Sequence, residues 1–262
     1  MPVHSPLTAG AAMSAQQNPV QPRVAVVTGG SRGIGRETVT RLAADGFAVV
    51  VGYAGNRELA EAAVEDVTAA GGSALAVRAD VADEQQVAAL FEAAAAAYGG
   101  VDVVVHTAGR MYLAPVAELD LGELDALHRT NVRGTFVVAR EAARTLRRGG
   151  ALITFSTSVV GLAFPGYGAY SASKGAVEAL TLVLARELRG RDVTVNAVAP
   201  GPTGTDMFLA GKDEEAVARL AAQPPLERLG TPGDIAEVVA FLASPAGHWV
   251  NGQVIRANGG II

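Results

Sequence analysis

Cysteine is absent from all 262 residues of the chain. Disulfides, thiolate nucleophiles and cysteine-ligated metal sites are therefore excluded, and we predict no metal site. Basic residues are in the minority, with 21 Lys and Arg against 26 Asp and Glu, and the net charge of −5 argues against a nucleic-acid partner. No apolar run reaches the roughly 20 residues that span a bilayer, so no membrane partner is expected.

Residues 1–21 are mostly small or polar and are interrupted by proline, and they lack the charged and apolar regions of a signal peptide. This composition predicts a disordered tail, followed by one domain over 22–262, and a cytoplasmic location for the protein. Half of all residues are hydrophobic, which suffices for the large core of such a domain.

Short apolar runs alternate along the chain with Ala-rich amphipathic stretches. The runs predict strands over 24–28, 48–53, 74–79, 101–106, 151–156, 193–198 and 253–257. The stretches predict helices over 35–44, 58–70, 83–98 and 121–146, with Asp83 and Gln86 as a capping box. The irregular segment 200–225, with a helical patch over 213–222, is typical of a lid. The alternation predicts an α/β fold, a doubly wound seven-stranded parallel sheet with helices on both faces.

A glycine-rich turn joins the first strand to the first helix. Such a turn points backbone N–H groups and the positive helix end at an anion, and glycine allows close approach of a pyrophosphate. The spacing G-x-x-x-G-x-G is compatible with a plain tight turn, but its place at the first βα crossing favours dinucleotide binding. The candidate residues are Gly29, Ser31, Arg32, Gly33, Ile34 and Gly35.

The end of the second strand carries no acidic residue before Glu58. An acid there would accept the ribose 2′-hydroxyl of NAD and repel the 2′-phosphate of NADP. Tyr53 and Asn56 occupy this place, and Arg32 and Arg57 are nearby cations that could face the phosphate, although each could equally be an ordinary solvated arginine. We therefore predict NADP(H) as the cofactor.

Tyr170 and Lys174 are four residues apart in a predicted helix, so both side chains lie on one helix face. The lysine charge is expected to lower the pKa of the tyrosine, which could then exchange a proton with a carbonyl oxygen. Ser158, after the preceding strand, could donate a hydrogen bond to the same oxygen. A surface Tyr/Lys pair is the plain alternative, and Asn131 could likewise be a tolerated polar residue within a helix.

In order and spacing, these motifs resemble the short-chain dehydrogenases/reductases, in particular 3-oxoacyl-carrier-protein reductases and tetrahydroxynaphthalene-reductase-like enzymes. The resemblance implies one Rossmann domain in which Tyr170 is the acid/base, Lys174 also binds the nicotinamide ribose, Ser158 holds the substrate oxygen and Asn131 supports a proton relay through water. It further implies adenine contacts from Asp80 and Val81, nicotinamide contacts from Pro200, Gly201 and Thr205, and further cofactor contacts from Ala108, Gly109 and Thr203.

Two segments depart from the family pattern. His106 and Thr107 stand where the family usually has two asparagines, and we interpret His106 as structural. The segment 144–150 looks shorter than in fatty-acid-synthesis reductases, which argues against a carrier-protein role, although Arg147 and Arg148 leave that role open.

The leading hypothesis is an enzyme that transfers hydride between NADP(H) and a small-molecule carbonyl/alcohol pair. A non-catalytic NADP(H)-binding regulator and a pure assembly protein are alternatives, since a fold alone does not fix function. Apolar positions on the long helices and the terminal Ile261-Ile262 predict a homotetramer. An apolar pocket for a cyclic or medium-sized ketone is expected from Met111, Tyr112, Leu162, Phe164, Tyr167 and Met207.

Overall fold

The computed structural model describes residues 22–262, so the predicted tail at 1–21 lies outside the described residues. Strands β1 to β7 span Val24–Thr28, Ala48–Tyr53, Ser73–Arg78, Val101–His106, Leu146–Phe155, Val193–Pro200 and Val254–Ala257. Helices α1 to α10 span Gly33–Ala44, Arg57–Ala69, Glu84–Tyr98, Leu121–His128, Gly134–Thr145, Val159–Leu162, Gly168–Glu187, Asp206–Leu209, Glu214–Ala221 and Pro232–Ala243. Short 3₁₀ turns occupy Val116–Glu118 and Pro245–Gly247.

All seven strands form one parallel sheet in the order β3-β2-β1-β4-β5-β6-β7. Valine-rich strands suit this position because the sheet is covered on both faces. In β1, for example, Val26 and Val27 are both fully buried, but they belong to the separate cores on opposite faces. The predicted doubly wound fold is confirmed, and its strand order reverses between β1 and β4, where such folds bind ligands.

The N-terminal cap of helix α3 matches the predicted capping box only in part. The Asp83 carboxylate accepts hydrogen bonds from the backbone N–H groups of Gln85 and Gln86, at 3.0 and 3.1 Å. In a capping box the Gln86 side chain would accept the N–H of Asp83. It accepts the N–H of Asp80 instead, at 3.0 Å, and so ties the end of β3 to the start of α3.

The predicted helix over 121–146 is wrong in two respects. A π-helical turn, Arg129–Arg133, divides it into α4 and α5, and β5 begins at Leu146, five residues before the predicted strand. Leu146 pairs with Val101 ahead of a register shift. The Arg147 guanidinium donates to Asp102 at 2.9 Å, and this carboxylate also accepts the N–H of Val24 at 2.7 Å. This long-range anchor explains why local periodicity missed the start of β5.

Strands β1, β2 and β4 have the predicted bounds, and those of β3, β6 and β7 differ from the predictions by one or two residues. Helix α9 lies inside the predicted patch over 213–222. No helix within 22–262 is long and apolar enough to cross a membrane.

Candidate active site

One cavity of about 710 Å³ lies at the carboxyl ends of the strands. Segments that follow six of the seven strands, β1 to β6, contribute to its lining. It therefore occupies the crevice in which doubly wound folds bind ligands. Both the predicted phosphate loop and the predicted Ser–Tyr–Lys group face this one cavity.

The glycine-rich turn is the wall of the cavity after β1. Gly29 has a φ of +72°, in the left-handed region that favours glycine. A Cβ atom on Gly35 would lie only 2.2 Å from the Gly29 carbonyl oxygen, so a side chain at this position would require the turn to move. Arg32, the N-cap of α1, makes no side-chain cap bond, which leaves first-turn N–H groups available to an anion. All six candidates line the cavity, namely Gly29, Ser31, Arg32, Gly33, Ile34 and Gly35.

The structure separates the candidates at the end of β2. Tyr53 and Asn56 line the cavity, and Asn56 also caps α2 by accepting the N–H of Leu59 at 3.0 Å. Arg57 is not in the lining, because its guanidinium pairs with Glu61 at 2.6 Å on the exposed face of α2. Of the two arginines predicted to face the 2′-phosphate, Arg32 therefore lines the cavity and Arg57 does not.

The segments after β3, β4 and β6 complete the cofactor side of the cavity. At the end of β3, Asp80 pairs with Arg129 at 2.8 Å, and both residues line the cavity. After β6, the Thr205 hydroxyl accepts the N–H of Phe208 at 3.2 Å and starts α8. The remaining predicted residues that line the cavity are Val81, Ala108, Gly109, Pro200, Gly201 and Thr203.

Tyr170 and Lys174 lie on one face of α7, as their spacing predicts. The Lys174 ammonium is 5.9 Å from the centre of the Tyr170 ring and donates to the Phe155 carbonyl oxygen at 2.9 Å. Phe155 is the last residue of β5, so the lysine links α7 to the end of this strand.

Burial determines the charges of this pair. It raises the pKa of Tyr170 to about 12, an effect that Tyr167 reinforces and the Thr157 hydroxyl opposes. Burial also lowers the pKa of Lys174 to about 8. The pKa of Tyr170 is therefore raised, and not lowered as expected, because desolvation of the phenolate outweighs the other influences on it. At neutral pH the phenol is protonated and the amine still carries a charge.

Ser158 has a neighbour that sequence reasoning missed. Its hydroxyl donates to the Ala199 carbonyl oxygen at 3.1 Å and accepts a hydrogen bond from the Asn258 side-chain amide at 2.9 Å. The Asn258 oxygen accepts the N–H of Gly260 at 3.0 Å, which orients the amide. The motif Asn258-Gly259-Gly260 is visible in the sequence, but nothing local to it indicates a contact 100 residues away.

Asn131 is fully buried in the π-helical turn and is not a surface residue. Its amide donates to the Arg110 carbonyl oxygen at 2.9 Å and to the Ser173 hydroxyl at 3.1 Å, and its side-chain oxygen accepts the Arg110 N–H at 2.9 Å. The side chain therefore fixes the segment after β4 against α7. Asn131 itself is not among the residues that line the cavity.

His106 connects the two sides of the site through a directed chain of hydrogen bonds. The Thr135 hydroxyl donates to the Asn131 carbonyl oxygen at 2.6 Å, so it accepts from His106 Nε2 at 3.1 Å. His106 Nδ1 then accepts from the Thr28 hydroxyl at 2.7 Å. Burial, together with the charge of Lys174, lowers the pKa of His106 to about 3. The histidine is neutral and structural, as interpreted from the sequence.

The remaining walls are mainly apolar. Phe164 and Tyr167 pack edge to face with their ring centres 5.9 Å apart. Tyr112 does not line the cavity, because its hydroxyl accepts the Asp120 N–H at 3.2 Å outside the lining. Five predicted residues do line it, namely Met111, Leu162, Phe164, Tyr167 and Met207. Arg110, Phe208 and Leu220 also line it and were not predicted from the sequence.

Comparison with known proteins assigns the chain to a family. Residues 29–262 match a family model described as enoyl-(acyl carrier protein) reductase. A short-chain type dehydrogenase/reductase of Picea abies is 46% identical over 248 residues, which are 91% of this chain and 92% of the relative. The chain belongs to the short-chain dehydrogenase/reductase family.

Other members of the short-chain dehydrogenase/reductase family carry more specific names. An NADPH-dependent aldehyde reductase-like chloroplastic protein of Arabidopsis thaliana is 39% identical, over 93% of this chain and 96% of the relative. A versicolorin reductase of Emericella nidulans is 40% identical, over 91% of this chain and 95% of the relative. A Burkholderia cenocepacia short-chain dehydrogenase crystallised with NADP has a TM-score of 0.86 at 37% identity, over 93% of this chain and 99% of that chain.

Proposed function

We propose that the protein is an NADP(H)-dependent reductase that converts a carbonyl compound to a secondary or primary alcohol. The observation that carries this proposal is the convergence of Ser158, Tyr170 and Lys174 on the same cavity as the phosphate loop. A regulator that only binds the cofactor would not require a Tyr/Lys pair in the cavity that the phosphate loop lines.

NADP(H) fits the residues at the cofactor side of the cavity. The turn at Gly29 and Gly35 has no room for side chains, as required where the backbone approaches a pyrophosphate. The end of β2 offers Tyr53 and Asn56 instead of a carboxylate, and Arg32 supplies a positive charge in the same cavity. The names of the Arabidopsis and Burkholderia proteins support the same choice of cofactor.

When bound, NADPH supplies a hydride for the carbonyl carbon. Tyr170 donates its phenolic proton to the carbonyl oxygen, a task that suits a phenol whose raised pKa keeps it protonated at neutral pH. The charge of Lys174, held near the ring by the Phe155 carbonyl, stabilises the phenolate that remains.

Ser158 donates a hydrogen bond to the same carbonyl oxygen after its hydroxyl turns away from Ala199. The Asn258 amide keeps donating to the serine oxygen during this turn, which favours the hydroxyl as a donor toward the substrate. Asn131 acts by holding the segment at Arg110, and the water-borne proton relay that the resemblance implies stays a prediction.

The substrate belongs to the cyclic or medium-sized ketones and aldehydes. The lining of the cavity includes the apolar side chains of Met111, Leu162, Phe164, Tyr167 and Met207, and an apolar lining favours substrates with an extended apolar surface. The name of the aldehyde reductase relative agrees with an aldehyde as substrate.

The proposed assembly is a homotetramer. Several large apolar side chains on α4, α5 and α7 are exposed, and Trp249 is 98% exposed. Burial of these side chains against further copies would remove them from water.

The two arginines considered for binding a carrier protein differ in their contacts. Arg147 is held by Asp102, which leaves Arg148 as the more available of the two. The proposed location is the cytoplasm.

The decisive experiment measures NADPH oxidation by absorbance with a panel of cyclic ketones, aldehydes and small keto acids. We expect turnover with the first two classes. Tyr170→Phe retains the ring and removes the proton donor, so its rate should fall by about 10²–10⁴-fold while NADPH affinity changes little. NADPH binding without turnover on any compound, or a Phe variant within a few-fold of wild type, would refute the proposal.

A further inference from the structure

Tyr167 brings a second phenol to the cavity that Tyr170 lines. It directly precedes α7 and is three residues before Tyr170, a spacing that places both side chains on one side of a helix, with Cβ atoms about 5–6 Å apart. The two phenols are within electrostatic range of each other, because a negative charge on Tyr167 raises the pKa of Tyr170. A compound that reaches Tyr170 therefore comes close to Tyr167 as well.

The contacts around Tyr167 hold its ring in place. The ring packs edge to face against Phe164, with ring centres 5.9 Å apart, and the Tyr167 N–H donates to the Phe164 carbonyl oxygen at 3.2 Å. The carbonyl oxygen of the preceding Gly166 accepts the N–H of Ala114 at 2.9 Å, which ties this segment to the loop after β4. Because the ring is already supported, a ligand that binds to it pays little for ordering the side chain.

The Tyr167 hydroxyl has no hydrogen-bond partner in the part of the chain that the structure describes. It is not enclosed either, since the buried side-chain polar atoms without a partner in that part belong to Arg41, Ser171 and Thr194. The hydroxyl is therefore accessible, on a residue that lines the cavity. Partial burial raises the pKa of Tyr167, so the hydroxyl stays protonated at neutral pH and is available as a donor.

The oxygen of the reacting carbonyl is assigned to Tyr170 and Ser158, which leaves the Tyr167 hydroxyl for another part of the substrate. A hydroxyl that loses water when a substrate enters and finds no new partner costs free energy, so it favours substrates that offer an acceptor. We propose that Tyr167 is a specificity-determining residue whose hydroxyl donates a hydrogen bond to a second oxygen of the substrate. It thereby selects ketones with a further carbonyl or hydroxyl group near the reacting carbonyl. The inference deepens the proposed reductase function and rests on it.

Tyr112 provides a matched control. Its hydroxyl accepts the N–H of Asp120 at 3.2 Å, and the residue does not line the cavity. Tyr167→Phe and Tyr112→Phe therefore remove the same chemical group, but only the first removes it from the cavity. Phenylalanine retains the ring, so the packing of residue 167 against Phe164 remains.

The test measures kcat/KM at saturating NADPH for two compounds that differ only in a second carbonyl. These are 2,2-dimethylcyclohexane-1,3-dione, which cannot form an enol between its carbonyls, and 2,2-dimethylcyclohexanone. The intrinsic reactivity of each compound cancels when a variant is compared with wild type. A compound that is not turned over is measured instead by its inhibition constant against the best carbonyl of the panel.

For Tyr167→Phe we expect a loss of about five- to tenfold with the dione, mainly as a higher KM, as for removal of one neutral hydrogen bond. With the monoketone the change should stay below about twofold, because this compound has no second oxygen to lose a contact. Tyr112→Phe should keep the wild-type ratio between the two compounds.

Several outcomes would overturn the inference. Equal losses with both compounds would show that Tyr167 supports Tyr170 or the packing of the cavity and does not act on a second oxygen. An unchanged value with the dione, or a dione that is neither turned over nor inhibitory, would show that the hydroxyl makes no such contact. A comparable loss in Tyr112→Phe would assign the effect to the loop after β4.

NADPH binding separates this inference from misfolding and from the proposed function. Tyr167→Phe should bind NADPH with the wild-type dissociation constant, and retained activity with the monoketone would show that the catalytic group is intact. If wild type reduces no carbonyl of the panel, the proposed function fails. If wild type reduces carbonyl compounds and Tyr167→Phe does so with an unchanged preference, the inference alone fails.

Discussion

Acid should destabilise this protein through His106, and the structure sets the size of the effect. An unfolded histidine titrates with a pKa of about 6.5. Burial among Thr28, Thr135 and the strands lowers the pKa of folded His106 to about 3. Between these values the unfolded chain binds a proton that the folded chain does not. Stability from this group is thus complete above about pH 6.5 and is lost as the pH falls toward 3.

The magnitude follows from linkage. At pH 5 the unfolded histidine is almost fully protonated and the folded one is neutral, so His106 alone should lower the free energy of unfolding by about 2 kcal/mol relative to pH 7. For a chain of this size, that change corresponds to a fall in Tm of about 4–8 °C.

The assay compares the pH dependence of Tm for wild type and His106→Asn at one protein concentration. Asparagine retains one donor and one acceptor but does not titrate in this range. The slope between pH 5 and 7 should be shallower in the variant by about 2 kcal/mol in total, whatever its absolute stability. His128→Asn, which removes a histidine at the end of α4 and leaves the contacts of His106 with Thr28 and Thr135 in place, is the control variant. Parallel curves for wild type and His106→Asn would refute the reasoning.

Two predictions concern cofactor choice and assembly. Wild type should prefer NADPH over NADH by at least about tenfold, or roughly 1.4 kcal/mol. Tyr53→Asp should narrow or reverse this ratio, and Arg32→Ala should narrow it by weakening NADPH, most at low salt. Specificity constants for both cofactors check this, and equal wild-type use of NADH would contradict it. Light scattering at micromolar concentration should give the mass of a tetramer, because contact between subunits would bury exposed apolar side chains such as Trp249. A monomer mass would contradict the proposed assembly.

Local sequence features determined most of the fold. Valine-rich runs bounded by glycine and polar residues located β1, β2 and β4 at their observed bounds, because a strand buried on both faces must be apolar throughout. The start of β5 was missed because the Arg147–Asp102 contact that anchors it joins residues 45 positions apart. Periodicity within a window of residues contains no information about such a partner.

Some features of the candidate site were likewise predictable from the sequence, and others were not. Spacing alone put Tyr170 and Lys174 on one helix face, and the missing acid after β2 pointed to NADP(H), since both signals are local. Two features depended on the tertiary structure: the raised pKa of Tyr170 and the Asn258 contact with Ser158. Desolvation and competition among partners arise only when distant segments pack together. The sequence therefore determined which chemical groups are present and in what order, and packing decided their charge and their partners.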